Sequence, residues 1–263
     1  MDLAGYLHRL GVGSPPVPDV ATLRRLHAAH VRAIPFENSS VLSKEPIVLR
    51  PEALVEKLVG QRRGGFCYEL NTAFATLLKW LGYPVEYLSG RVYGAGGQLG
   101  PPFDHMALRV EAGGESWLVD VGFGYCFSQP LRLQPGVVQN DPVGRFRLDE
   151  AADGGMDVLW DRGDAVFRPQ YRFDLTPHEV DDFAEMCRFH STSPDSLFTQ
   201  GWLCSVATEG GGVTYFRRTL YTYVDRGARE TREVADASEE QELLARWFGI
   251  RPSTSRSQAA EPV

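Results

Sequence analysis

The residues of this chain best placed to do chemistry are a cysteine, a histidine and an aspartate, each set in a recognisable local pattern. Cys67 follows Arg62-Arg63-Gly64-Gly65-Phe66 and opens a stretch where Leu70, Phe74, Leu77, Leu78 and Leu81 recur at helical spacing, with Gly82 and Pro84 as stop signals. The cysteine therefore falls in the first turn of a buried helix. Unpaired N–H groups and the positive end of the helix macrodipole favour a thiolate there, and Arg62 and Arg63 are expected to strengthen that bias. The two glycines let the backbone turn tightly and approach a ligand closely. A cysteine can also be a small buried hydrophobe. Here glycines, arginines and a helix start together point to a nucleophile.

His105 and Asp120 come from a predicted hairpin, residues 105–111 and 115–121 around Gly113-Gly114. If the loop has two residues, Ala112 pairs with Glu115, and one face carries Met106, Leu108, Val110, Trp117, Val119 and Val121. His105 and Asp120 then share the opposite face as diagonal neighbours. A four-residue loop keeps this register and a three-residue loop would part them, so the all-apolar core face favours the even spacing. A thiolate, an imidazole to exchange its proton and a carboxylate to fix the imidazole tautomer make a nucleophile, base and orienter.

The elements that must position these residues follow from the periodicity. A helix is predicted from Asp19 to about Arg32, carrying His27 and His30, which have no sequence neighbours that complete a site. Pro35-Phe36-Glu37-Asn38 reads as a turn or extended segment, and Pro51 opens another helix. The expected boundaries are a helical bundle at residues 1–83, a strand-rich unit at 84–190, a mixed α/β segment at 191–251 and a disordered polar tail at 252–263. Within them, Thr176-Pro177-His178-Glu179 reads as a capping box. Residues 202–225 read as two strands, and Ser238 to Gly249 as a helix.

Composition excludes several classes. Hydrophobic residues at 43% and charged residues at 23% describe an ordinary soluble globule. The 27 basic and 34 acidic residues give a formal charge of −7, and no basic run is interleaved with aromatics, so no nucleic-acid partner is expected. No signal-like N-terminus or bilayer-length apolar run is present, which predicts a cytoplasmic protein with no membrane partner. The four cysteines lack C-x-x-C pairing, so neither a metal site nor a disulfide framework is expected. Cys126, Cys187 and Cys204 are read as packing residues.

In order and spacing, five segments resemble the arylamine N-acetyltransferase family: Pro35-Phe36-Glu37-Asn38, Arg63-Gly64-Gly65-Phe66-Cys67 with Asn71, His105, Asp120-Val121-Gly122-Phe123-Gly124, and Ser193-Pro194-Asp195-Ser196-Leu197-Phe198. The resemblance implies an α+β fold of three lobes: an N-terminal helical bundle, an antiparallel β-barrel and a C-terminal α/β lid, with a papain-like Cys-His-Asp triad. It also implies acetyl-CoA as co-substrate and an arylamine or hydrazine as acceptor, with Phe36, Phe123 and Phe198 lining the substrate cleft. Glu37 and Arg63 are expected to form a buried ion pair bracing the cysteine loop, with Asn71 as further support. The backbone N–H groups of Cys67 and Tyr68 are candidates for an oxyanion hole. The chemistry is that of thioester exchange, giving an acetyl-cysteine and ping-pong order.

One stretch departs from the family pattern. Pro101-Pro102-Phe103-Asp104 offers few donors for CoA phosphates and adds a negative charge. This keeps open an amide synthase of the ansamycin type, closing a macrolactam from a polyketide held on an acyl carrier protein. A cysteine hydrolase and a non-catalytic binding protein are the remaining alternatives.

Overall fold

The computed structural model describes residues 1–14, 16–224 and 228–251. The tail at 252–263, expected to be disordered, lies outside them. The chain begins with helices α1 (Leu3–Arg9), α2 (Val20–Ala33), α3 (Ser39–Leu42), α4 (Pro51–Val55), a π-helical turn at Glu56–Gly60, and α5 (Cys67–Trp80). Local chemistry sets their starts. Asp19 caps α2 by accepting the Thr22 N–H at 2.7 Å, and Pro51 occupies the first turn of α4. Helix α5 is buried continuously from Cys67 to Ala75, so it is the axis on which the first core assembles.

Eight strands follow: β1 (Val85–Val92), β2 (His105–Ala112), β3 (Glu115–Val119), β4 (Leu131–Arg132), β5 (Gln139–Asp141), β6 (Gly144–Glu150), β7 (Met156–Asp161) and β8 (Arg168–Phe173). They form one antiparallel sheet in the order β4-β3-β2-β1-β8-β7-β6-β5. Its two edges are joined by a side chain. Gln139 accepts the Arg132 N–H at 2.7 Å and donates to the Arg132 carbonyl at 2.9 Å, which nearly closes the sheet into a barrel. The β2–β3 register has Ala112 opposite Glu115, as the two-residue loop requires. Met106, Leu108, Val110, Trp117 and Val119 pack into the core of α5, while Ala107 and Leu118 belong to the barrel interior with Phe146, Trp160 and Tyr171.

After β8 the chain makes a 3-10 turn (Val180–Phe183), α6 (Ala184–Thr192) and a second 3-10 turn (Leu197–Thr199). The helix expected to start at Thr176 starts later. His178 is held extended by its N–H bond to the Tyr87 carbonyl at 3.0 Å, and Asp182 accepts the Glu179 N–H at 2.9 Å, so the cap moves to Glu179. The second sheet has four strands where two were expected: β9 (Leu203–Thr208), β10 (Gly211–Phe216), β11 (Thr219–Val224) and β12 (Ala228–Glu233), ordered β12-β11-β10-β9. Asp236 caps the last helix, α7 (Ala237–Phe248), and Gly249 ends it at φ 67°. No helix among the described residues is long and apolar enough to cross a membrane.

Phe36 is more than a turn residue. Its N–H and carbonyl bond the Ser205 carbonyl and N–H at 2.9 and 2.8 Å, and the next N–H, of Glu37, bonds the Gly65 carbonyl at 2.9 Å. The segment is a short rung between the cysteine loop and β9.

Candidate active site

Cys67 is the first residue of α5, with Phe66 at the cap position. Glu69 accepts the Phe66 N–H at 3.2 Å and is itself paired with Lys57 at 2.6 Å, so a buried ion pair anchors the start of the helix. Gly122 sits directly over the cysteine, where an added Cβ would meet the Cys67 Cα at 2.7 Å. Burial pushes the Cys67 thiol well up, the negative charge of Asp120 adds to this, and the Met106 backbone N–H opposes it. The arginines do not help. Arg63 is spent on Glu45 at 2.6 Å and on the hydroxyls of Ser39 and Ser40, and Arg62 faces a different cavity.

The expected Glu37–Arg63 ion pair is therefore absent. Glu37 accepts the Ser39 N–H two residues along its own segment, where α3 begins, so Arg63 turns to Glu45. The pair that braces the cysteine loop is Lys57–Glu69.

His105 stands at the start of β2 and donates from Nε2 to Asp120 Oδ2 at 2.7 Å. That leaves Nδ1 as the ring nitrogen able to take a proton. Both residues are buried, as are the partners of the carboxylate. Asp120 Oδ1 accepts from Asn71 Nδ2 and from the Gly122 N–H, each at 2.9 Å. Burial alone would disfavour this carboxylate, but His105, Asn71 and Gly122 outweigh it and hold its pKa below the usual range. Asn71 reaches further, donating to the Met106 carbonyl at 2.6 Å and accepting the Val121 N–H at 3.0 Å. It ties α5 to both strands of the hairpin.

Two supporting residues escape sequence reasoning. His27 donates from Nδ1 to the Ser128 carbonyl at 2.9 Å and accepts the Asp120 N–H at Nε2, 3.3 Å, so only the neutral ring satisfies both bonds. Its partners lie about a hundred residues away, beyond the reach of any spacing argument. Asn38 donates to the carbonyls of Phe198 and Gly201 at 2.7 and 2.8 Å and accepts the Leu203 N–H at 2.9 Å. Its place in the Pro35–Asn38 segment was a signal that could have found it.

Cys67 and His105 open onto a cavity of about 830 Å³ lined also by Phe36, Gly122, Phe123 and Phe198. The Phe123 ring stands edge-on to His105 at 5.0 Å between centroids, and Phe36 and Phe198 are 6.1 Å apart. Tyr68 points elsewhere, its hydroxyl donating to the Phe103 carbonyl at 2.8 Å and so clamping the segment before His105. The negative charge expected to burden the cleft is engaged: Asp104 Oδ1 meets His190 Nε2 at 3.0 Å and Oδ2 accepts the Val92 N–H at 3.2 Å. Cys126, Cys187 and Cys204 are buried free thiols. Among the described residues no group of three or more His, Cys, Asp or Glu side chains could hold a metal ion.

Residues 19–256 match the sequence model of a protein family described as N-acetyltransferase, which gives the class of the chain. The arylamine N-acetyltransferase of Mycolicibacterium smegmatis is 37% identical over 256 residues, covering 95% of this chain and 92% of that protein. The arylamine N-acetyltransferase / N-hydroxyarylamine O-acetyltransferase of Salmonella typhimurium is 38% identical over 94% of this chain and 88% of its own length. The solved structure of Mycobacterium marinum arylamine N-acetyltransferase in complex with CoA superposes with a TM-score of 0.88 at 35% identity, covering 95% of this chain and 93% of that one. This chain belongs to the arylamine N-acetyltransferase family, and it is an acyltransferase.

Proposed function

We propose that this enzyme moves an acetyl group from acetyl-CoA to an arylamine or hydrazine through an acetyl-cysteine on Cys67. The observation that carries the reading is the opening of Cys67 and the Asp120-bound His105 onto one cleft walled by aromatic rings, in a chain of this family. Three stretches of sequence, residues 1–83, 84–190 and 191–251, are the proposed lobes, and each contributes to that wall through Phe36, Phe123 and Phe198 respectively.

In the first half-reaction the Cys67 proton passes to His105 Nδ1. The thiolate then forms as half of an ion pair, which a buried site tolerates far better than an isolated charge. Sulfur attacks the thioester carbonyl, and the backbone N–H groups of Cys67 and Tyr68 at the helix start receive the developing oxyanion. The CoA thiolate leaves with the proton from His105. In the second half-reaction a neutral amine attacks the acetyl-cysteine, His105 takes the amine proton, and Cys67 is regenerated. Asp120 keeps the ring in the Nε2–H tautomer throughout and stabilises the imidazolium. The long cleft, bordered by Gly94 to Pro101 and by Tyr125 and Tyr223, suits the pantetheine arm, and the flat rings suit an aromatic acceptor.

Intact-protein mass spectrometry after brief incubation with acetyl-CoA alone tests this. One acetyl group is expected, mapping to Cys67 and disappearing on addition of an arylamine. A folded, alkylatable protein that takes up no acetyl group would reject acetyl-CoA as donor and favour a carrier-bound acyl group.

A further inference from the structure

Behind the cleft lies a separate cavity of about 650 Å³. Phe36 and Ser205 line the cleft, whereas the flanking residues Pro35 and Val206 line this cavity, so the Phe36–Ser205 backbone rung stands between the two spaces. The charged side chains that line this cavity are all cationic among the described residues. Arg9, Arg32, Arg62 and Arg251 all face it, together with Gln61 and Trp247, and no carboxylate among the described residues lines it. None of the four guanidinium groups makes an ion pair among the described residues.

Arg9 is the innermost of them. Its terminal nitrogens donate to the carbonyls of Arg63 at 2.9 Å, Arg62 at 3.3 Å and Ala33 at 3.5 Å, while its Nε is buried with no partner. Arg32 uses only Nε, donating to the Ala28 carbonyl at 3.0 Å. Arg62 is held at φ 55°, a left-handed conformation that non-glycine residues rarely adopt. Burial lowers the Arg9 pKa to about 10, with Tyr6 opposing the shift and repulsion from Arg62 adding to it. Four cations around one space repel one another, and the chain carries a formal charge of −7, so this cluster is not the spill-over of a basic protein. An anion with several oxygens would relieve the repulsion and engage planar guanidinium forks, which match phosphate oxygens in pairs. A single phosphate would occupy only a small part of the cavity.

We infer that this cavity binds a small molecule bearing a di- or triphosphate, held by Arg9, Arg32, Arg62 and Arg251 against the Trp247 wall, at a site distinct from the acyl-transfer cleft. Sodium pyrophosphate is the probe, titrated into the full-length protein by calorimetry. The wild type should bind it, and the double variant Arg32→Gln/Arg62→Gln should bind about tenfold or more weakly, the loss expected for two charge-assisted contacts. Both side chains are exposed, so the variant should fold, and its Cys67 should be alkylated by iodoacetamide at the wild-type rate. Arg168→Gln, which removes an exposed arginine elsewhere, should leave pyrophosphate affinity unchanged. No binding to the wild type, equal affinity in the double variant, or an equal loss in Arg168→Gln would overturn the site. So would protection of Cys67 from alkylation by pyrophosphate, because the anion would then occupy the cleft.

Discussion

Asn71 satisfies three buried groups with one amide: the Met106 carbonyl, the Asp120 carboxylate and the Val121 N–H. Replacing it with alanine takes this partner from the Met106 carbonyl and the Val121 N–H, at about 1–3 kcal/mol for each group left unpaired, and leaves Asp120 to Gly122 and His105. Asn71→Ala should lower the urea midpoint clearly and reduce turnover further than the stability loss explains, because Asp120 would lose one of the three bonds that orient it. His27 supports the same aspartate from behind, and its environment sets a pH dependence. Burial lowers its pKa from 6.5 to about 4. The unfolded chain therefore binds a proton near pH 6.5 that the folded chain refuses until about pH 4. The stability is whole above that upper value and declines as pH falls toward the lower one, by about 3 kcal/mol for this residue. Chemical denaturation across that window should show the decline, and His27→Gln should flatten part of it.

At the scale of elements, the start of α5 is fixed from both sides. Gly122 closes over it, and a Cβ there would meet both the Cys67 Cα and Asn71 Nδ2 at 2.7 Å. Gly122→Ala must push the Asp120–Gly122 turn away from the helix. About 1–3 kcal/mol of overpacking is expected, with a loss of activity read in both half-reactions by rapid-quench kinetics. On the other side, Lys57 crosses from the π-helical turn to Glu69 and also donates to Ser40 Oγ at 2.9 Å. Lys57→Met would leave the Glu69 carboxylate buried without its cation, at a cost of about 3–5 kcal/mol. Thermal melts of Lys57→Met and of Lys57→Met/Glu69→Leu separate the broken pair from its absence, and the double variant should recover much of the loss.

For the whole molecule, the decisive feature is how the two sheets meet. Tyr125, in the loop after β3, stacks on Tyr223 of β11 with centroids 4.2 Å apart and planes 17° from parallel, and both rings line the cleft. Such a pair contributes about 0.5–1.5 kcal/mol beyond its buried area. Tyr223→Ala should raise KM for the acyl donor several-fold while leaving the alkylation rate of Cys67 unchanged, since the cysteine loop is braced elsewhere. Steady-state kinetics with both substrates varied would show it.

Sequence alone determined what depends on local patterns. Helical spacing after Cys67, the Gly113-Gly114 hairpin and the alternation from Met106 to Val121 determined the helix that Cys67 opens and the shared face of His105 and Asp120, because periodicity and turn chemistry act over a few residues. Local rules also gave the start of α2 at Asp19 and the helix start at Pro51, whereas the cap of α7 at Asp236 lies just before the expected start at Ser238. They failed where a distant partner decided. The capping box at Thr176 lost to a bond from His178 to β1, and Arg63 found Glu45 when Glu37 bonded the start of α3. Only the tertiary structure could bring His27 to Asp120 and Asn38 to Phe198, or engage Asp104 with His190. Each of these bonds joins residues 86 or more positions apart, and the energy that selects them exists only once the distant segments have packed together.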